Sequence, residues 1–290
     1  MTSYRILAGD CVARMGMMEA NSVDNCITDP PYEIGFMGKG WDNTGVAYNP
    51  RTWRAVHRVL KPNGFLAVFA ATRTQHRIAH AIERAGFEII DIISWCYGTG
   101  FPKSHNISKA LDKKAGGKEA QQWEGWGTAL KPAYEPIIIA RKKGSKATTN
   151  YSQFYYISKA NKKEKNAGLS DFEDSVSRTT YGNRVCSVCN KHELQTNIER
   201  RCVCKNPVWG DARLTPTKNT HPTVKPIAIM KALIEDFTDE ETVVFDPFTG
   251  SGSTGIATVM NNRTFIGCEL TPEYIPLAKA RIEHWREQSA

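Results

Sequence analysis

The feature that most restricts the fold is a series of short apolar runs of strand length, separated by stretches with helical periodicity. FLAVFA at 65–70 is continuously apolar, as expected of a parallel strand buried on both faces. YRILA (4–8), VDNCIT (23–28), FEIIDIISWC (87–96), PIIIAR (136–141), TVVFD (242–246) and TFIGCE (264–269) read as further strands. Helices are expected from Cys11 to about Ala20, over 50–60 with Trp53, Val56 and Leu60 on one face, and from Gln75 to Ala85 with Gly86 ending it. Three more are expected at 226–237, at 253–261 and from 272 onward. This alternation implies an α/β sheet with helices on both faces. No apolar run approaches the roughly 20 residues needed to cross a bilayer, and no export segment opens the chain. The expectation is a cytosolic protein with no membrane association.

The alternation fails between about 141 and 220. Residues 1–140 and 219–290 therefore read as one domain, and 141–218 as an insertion. The charge is divided in the same way. Residues 141–225 hold 17 basic and 7 acidic side chains, against 21 and 23 in the remainder. A local positive field of this size attracts a polyanion, although a solvated basic face would show the same composition. Lys159, Lys162, Lys163, Lys165, Arg178, Arg184, Arg200 and Arg201 lie here with Tyr151, Phe154, Tyr155, Tyr156 and Tyr181. Basic groups neutralise phosphates, and aromatics stack on bases or build a small core.

Cysteines follow the same division. Cys11, Cys26, Cys96 and Cys268 are scattered and read as buried free thiols. Cys186, Cys189, Cys202 and Cys204 form C-x2-C-x12-C-x-C inside the basic stretch, with His192 as a spare ligand. Four thiolates suit tetrahedral zinc, and a polar segment of this size needs the folding energy that a metal supplies. Unliganded thiols are the alternative.

Two motifs carry chemistry. Val243 to Gly255 reads V-V-F-D-P-F-T-G-S-G-S-T-G, a strand, a turn and a helix, with Gly250, Gly252 and Gly255 spaced G-x-G-x-x-G. Glycine admits close backbone approach, and Glu269 at the end of the next strand is placed to accept from ribose hydroxyls. A nucleoside cofactor is favoured over a plain structural turn. NAD and S-adenosylmethionine both remain open, but Asp246 at the mouth would repel a pyrophosphate and suit an ammonium or sulfonium. The second motif, Asp29-Pro30-Pro31-Tyr32, follows an apolar strand directly. The prolines make a rigid, extended corner with two fewer donors. Asp29 and the Pro30 carbonyl can accept both hydrogens of an exocyclic amine, while Tyr32 stacks on its ring. A strand-ending turn with a surface tyrosine is the plain alternative.

These motifs, with His221-Pro222-Thr223-Val224-Lys225-Pro226, Gly9-Asp10-Cys11, Gly267-Cys268-Glu269 and Tyr274, resemble the amino-group DNA methyltransferases that modify adenine N6 or cytosine N4. The order, catalytic motif before cofactor motif, is similar to the family's beta group. The resemblance covers roughly 4–140 and 219–287. It implies a Rossmann-like methyltransferase sheet and S-adenosylmethionine held by Asp246, Phe248, Gly250, Ser251, Gly252, Ser253 and Thr254. It places Glu269 on the ribose, Asp10 and Cys11 near the cofactor's adenine, and Thr223 and Lys225 on its methionine side. It makes Asp29, Pro30, Pro31 and Tyr32 catalytic, with adenine preferred over cytosine because the corner begins with Asp. Double-stranded DNA is the implied partner, with the target base flipped out and Lys39 and Trp41 placed to close over it. A bacterial or phage-infected cell and a homodimer are also implied. Gly100 to Ser104 and Ala129 to Pro136 look like family elements without an assigned role. The residues leave both a restriction endonuclease partner and a solitary role open.

Overall fold

The computed structural model describes residues 3–35, 40–98, 107–108, 111, 121–126, 133–144, 151–175, 186–189, 202–208 and 217–289. In chain order the strands are β1 (Tyr4–Ala8), β2 (Asn25–Thr28), β3 (Phe65–Phe69), β4 (Phe87–Cys96), β5 (Tyr134–Lys142), β6 (Phe154–Tyr156), β7 (Val243–Asp246) and β8 (Thr264–Glu269). The helices are α1 (Cys11–Gly16), α2 (Pro50–Val59), α3 (Gln75–Arg84), α4 (Lys162–Asn166), α5 (Ile227–Phe237), α6 (Ser253–Met260) and α7 (Tyr274–Ser289). Among the described residues, no helix is long and apolar enough to cross a membrane.

One sheet runs β1-β8-β7-β2-β3-β5-β4-β6. Pairing is parallel from β1 through β3, and β5 is antiparallel to both of its neighbours. The expectation of a parallel strand at 65–70 thus holds on one side of β3 only.

The continuously apolar strands divide their side chains by the period of two. Cys26, Leu66, Val68, Ile138, Ala140 and Phe245 meet Met15, Trp53, Val56, Ile78 and Ile82 of α1, α2 and α3. Ile27, Ala67, Phe69, Ile137, Ile139 and Val244 meet Met230, Leu233, Ile234 and Phe237 of α5, together with Ile256 of α6 and Ile282 of α7. Both faces are therefore covered, which is why these runs show no polar alternation.

Local signals set the helix ends. Asp10 caps α1 by accepting from the Ala13 N–H, and Asn49 caps α2, which starts at Pro50. Gly86 follows α3 at φ +101°. Helix α1 stops at Gly16, short of Ala20, because Met17 and Met18 turn back to the carbonyls of Arg14 and Met15.

The stretch without sequence periodicity contributes to this sheet. β6 pairs with β4 and forms the edge of the sheet, Ser94 against Phe154, and the Tyr155 hydroxyl donates to Asp236 at 2.5 Å. Leu169 is fully buried. Farther on, Ser175 and Thr217 exchange backbone hydrogen bonds in an antiparallel bridge, drawing together the two ends of segment 176–216.

Candidate active site

The parallel strands β1, β8, β7 and β2 end at one edge of the sheet, where ligands of open α/β sheets bind. Ala8 lies opposite Glu269 and Asp246 opposite Gly267, while Thr28 of β2 donates to Asp246. A carboxylate therefore stands at or just beyond each of the four strand ends: Asp10, Glu269, Asp246 and Asp29.

Asp246 is 1% exposed. Its oxygens accept from Thr28 Oγ1 (2.5 Å), Thr254 Oγ1 (2.7 Å) and the Phe248 N–H (2.9 Å). Burial nevertheless lifts its pKa to about 6. Glu269 ties the end of β8 to the glycine turn, accepting from Gly250 N (2.7 Å) and Thr271 N (2.8 Å). Burial raises its pKa, opposed by those backbone donors. Asp10 is exposed, and the Cys11 thiol is pushed up to about 12 by burial.

The glycines have a packing role that their spacing does not reveal. Gly250 (φ +51°) and Gly252 (φ +82°) lie in the left-handed region. A Cβ on Gly250 would come within 2.7 Å of His221 Nε2, and one on Gly255 within 2.6 Å of Ile282. The missing side chains thus admit His221 and α7 against the turn. Ser253 donates to the Lys225 carbonyl (2.8 Å), and the Ser251 carbonyl accepts from Arg281 (2.5 Å). Thr223 donates its N–H to His221 Nδ1 (3.4 Å). Burial, then Lys225 and Arg281, hold the His221 imidazole neutral with a pKa of about 3.

The corner after β2 is tightly anchored. Thr74 and Tyr48 donate to the Tyr32 carbonyl, and the Asp42 carboxylate accepts from the N–H groups of Glu33 and Ile34. Asp29 Oδ2 lies 2.6 Å from Lys225 Nζ. Asp29 Oδ1 is buried with no hydrogen-bond partner among the described residues. Burial raises the Asp29 pKa, with Lys225 acting against it. Burial alone would lower Lys225, but Asp29 and Glu135 raise it.

Tyr32 sits differently from an open stacking platform. The residue is 9% exposed, with the Lys225 ammonium 5.0 Å from its ring centroid. Its hydroxyl donates to Glu135 Oε2 at 2.8 Å.

Glu135 is the site residue that motif reading passed over. It lies at the start of β5, 5% exposed. Besides Tyr32 it meets Lys225 Nζ (3.3 Å), Lys159 Nζ (3.4 Å) and the Tyr97 hydroxyl (3.4 Å). In sequence it lies within Ala129 to Pro136, a family-like stretch without an assigned role, and it is an acid near the start of an otherwise apolar strand. Lys159 looked like one phosphate-neutralising lysine among many, yet its ammonium stands 4.1 Å from the Tyr97 ring centroid.

The sulfur atoms of Cys186, Cys189, Cys202 and Cys204 all lie within 4.8 Å of one another. Four thiolates on one tetrahedral zinc stand roughly 3.8 Å apart, given Zn–S bonds of about 2.3 Å, so the cluster fits that ion. Lys39, the Trp41 side chain, residues 100–104 and 129–132, Arg178, Tyr181, Arg184, His192, Arg200 and Arg201 lie outside the described residues.

Comparison with known proteins places this arrangement. A profile of the DNA methylase family for N6 and N4 modification matches residues 23–280. The chain is 28% identical over 214 residues to the type II methyltransferase M.HindIII of Haemophilus influenzae, an alignment spanning 73% of this chain and 60% of that protein. It is 26% identical over 289 residues to the DNA adenine methyltransferase YhdJ of Escherichia coli, spanning 96% of this chain and 82% of that one. Among solved structures, the M1.HpyAVI–SAM complex is similar in fold, with a TM-score of 0.56 at 21% identity over 96% of this chain and 98% of that one. The cytosine-N4-specific PvuII DNA methyltransferase has a TM-score of 0.61 at 15% identity, over 100% of this chain and 93% of that one.

Proposed function

Because the chain belongs to the N6/N4 DNA methylase family, we propose that it transfers a methyl group from S-adenosylmethionine to the N6 amino group of adenine in double-stranded DNA. The observation that carries this reading is Asp29 Oδ1, a buried carboxylate oxygen without a partner among the described residues, on a side chain paired with Lys225, whose carbonyl accepts from Ser253 of the glycine turn. Leaving a buried acceptor unsatisfied costs about 1–3 kcal/mol or more for a charged group, and an exocyclic N–H satisfies it.

The acceptor row suits the cofactor. Asp10, Asp246, Glu269 and the Thr223 hydroxyl offer oxygens to ribose hydroxyls and to a cationic end, and these carboxylates would repel the pyrophosphate of NAD. Gly250 to Thr254 form the wall of that site. When bound, the cofactor supplies an activated methyl on a sulfonium. The protein's own part is positioning and electrostatics. Asp29 accepts one amino hydrogen and draws the nitrogen lone pair out of ring conjugation. Pro30 and Pro31 keep that carboxylate at a fixed angle, and Tyr32, pinned through Glu135, closes the far wall. A stacked base cannot reach a corner this deep, so the target nucleotide is flipped out.

Adenine is favoured by the Asp at the head of the corner and by the likeness to an adenine enzyme at 26% identity. Cytosine N4 is the second reading, favoured by the fold shared with a cytosine-N4 enzyme. The insertion takes the DNA. Phe154 and Tyr156 are 66% and 72% exposed on β6, and Lys162 and Lys163 follow in α4. A structural zinc on Cys186, Cys189, Cys202 and Cys204 organises its outer part.

Mass spectrometry of nucleosides from DNA treated with the protein tests the reading. N6-methyladenine is expected from the wild type. Asp29→Asn is expected to lose roughly a hundredfold or more of the rate while still binding DNA. N4-methylcytosine would select the second reading, and an active Asp29→Asn would overturn the role given to the corner.

A further inference from the structure

Methylating an amine liberates a proton, and this centre is closed around the carboxylate that would receive it. Four charged side chains lead away from that point. Asp29 Oδ2 is 2.6 Å from Lys225 Nζ, Lys225 Nζ is 3.3 Å from Glu135 Oε2, and Glu135 Oε1 is 3.4 Å from Lys159 Nζ. The side chains of Lys225 and Glu135 are 8% and 7% exposed, that of Asp29 17%, and that of Lys159 36%. The series therefore runs from Asp29, whose Oδ1 is buried, through two buried side chains to Lys159 at the surface. Tyr32, Phe69, Trp95 and Tyr97 wall it: Lys225 Nζ stands 5.0, 5.1 and 6.0 Å from the ring centroids of Tyr32, Phe69 and Trp95, and Lys159 Nζ 4.1 Å from that of Tyr97. Aromatic faces tolerate cations and exclude competing water.

We propose that Asp29, Lys225, Glu135 and Lys159 form the exit path for the amino proton, and that Lys159, a residue of the DNA-binding insertion, is thereby a positioning residue of the catalytic centre. This rests on the methyl transfer proposed at Asp29. As the amino nitrogen bonds to the methyl carbon and the carbon–sulfur bond breaks, the nitrogen gives one proton to Asp29 Oδ1. Asp29 returns a proton to Lys225 as Lys225 hands one to Glu135. Glu135 passes one to Lys159 as Lys159 releases one to water. Each group ends in its starting state, and one proton has reached solvent. The two lysines also keep the two carboxylates ionised between turnovers. Glu135 faces Tyr32 from the corner, Tyr97 from the end of β4, Lys225 from the approach to α5, and Lys159 from the insertion. Lys165 adds a second cation near Lys159, and the Asp246 and Asp29 carboxylates repel each other.

A lysine that only neutralised phosphate would predict something different. Its loss would raise the DNA dissociation constant, make binding less dependent on salt and leave the saturated rate alone. The path predicts that Lys159→Met, at saturating DNA and cofactor, slows single-turnover methylation about tenfold with an unchanged DNA dissociation constant. The acid limb of the pH–rate profile moves to higher pH, because carboxylates that lose a neighbouring cation protonate more easily. Lys159→Arg restores both rate and profile. Glu135→Gln, which keeps the volume and breaks the path, slows the reaction at least as much. A wild type that methylates DNA alongside a Lys159→Met variant of equal saturated rate and pH profile overturns the path alone. A wild type that methylates no DNA overturns the functional reading and the path with it.

Discussion

Lys225→Met removes a buried ammonium that faces two carboxylates, and its cost can be worked from the distances. At 2.6 and 3.3 Å and an effective dielectric of about 20, the attractions amount to about 6 and about 5 kcal/mol before desolvation is counted. Most of this offsets the cost of taking three charges out of water. Breaking such a pair by removing one partner typically destabilises by about 3–5 kcal/mol, since the charges left behind are buried and uncompensated. For a chain of this size that lowers the melting temperature by roughly 5–8 °C. The dependence on pH is diagnostic. Asp29 already titrates above the ordinary carboxylate range because of burial, and loss of Lys225 raises it further. A carboxyl whose folded pKa is raised keeps its stability at low pH and loses it as pH rises through the folded value. The deficit of Lys225→Met is thus least below the ordinary carboxylate pKa and full above the raised value of Asp29. Urea denaturation of both proteins across that range reads it directly. A double-mutant cycle with Asp29→Asn should return a coupling of at least about 1 kcal/mol. A deficit that does not change with pH, or a coupling near zero, would refute the assignment of Lys225 as the counter-ion of Asp29.

Three further outcomes follow from the same geometry. Asp246 has a pKa of about 6, so affinity for S-adenosylmethionine measured by calorimetry should fall as pH drops through that value, and Asp246→Asn should bind weakly without that dependence. Gly250→Ala places a Cβ 2.7 Å from His221 Nε2 at φ +51°; denaturation should show a loss of roughly 2 kcal/mol or more, against well under 1 kcal/mol for Gly16→Ala, where the space is open. Atomic emission should find about one zinc per chain, lost in Cys202→Ser/Cys204→Ser, and chelation should abolish DNA binding while the melting of the sheet domain stays within about 2 °C.

The corner at 29–32, the glycine turn and its acid, the cysteine cluster and nearly every strand could be read from residue order. Each is a local pattern: consecutive apolar residues, a Gly-rich junction, or fixed cysteine spacing reports on neighbours a few positions away. The limits of that reading are physical. FLAVFA shows that β3 is covered on both faces but not that β5 runs against it, because burial has no direction. Gly250 and Gly252 look like a cradle, yet a Cβ on either would meet protein, His221 and α7. Residues 151–169 carry no periodicity because the elements there are short and bury little: Tyr155 of β6 is half-buried, and Leu169, beyond α4, is fully buried.

By itself, then, the sequence determined the class of sheet, the carboxylates at the strand ends and the kind of chemistry they suit. Tertiary structure alone decided what each carboxylate faces. Lys225 is 196 positions from Asp29, and Glu135 is 103 from Tyr32 and 24 from Lys159. An ion pair between groups so far apart leaves no trace in local order. It forms because the ends of β2 and β5, the approach to α5 and the first turns of the insertion converge where water is excluded, and there an unpaired charge would be too costly to leave.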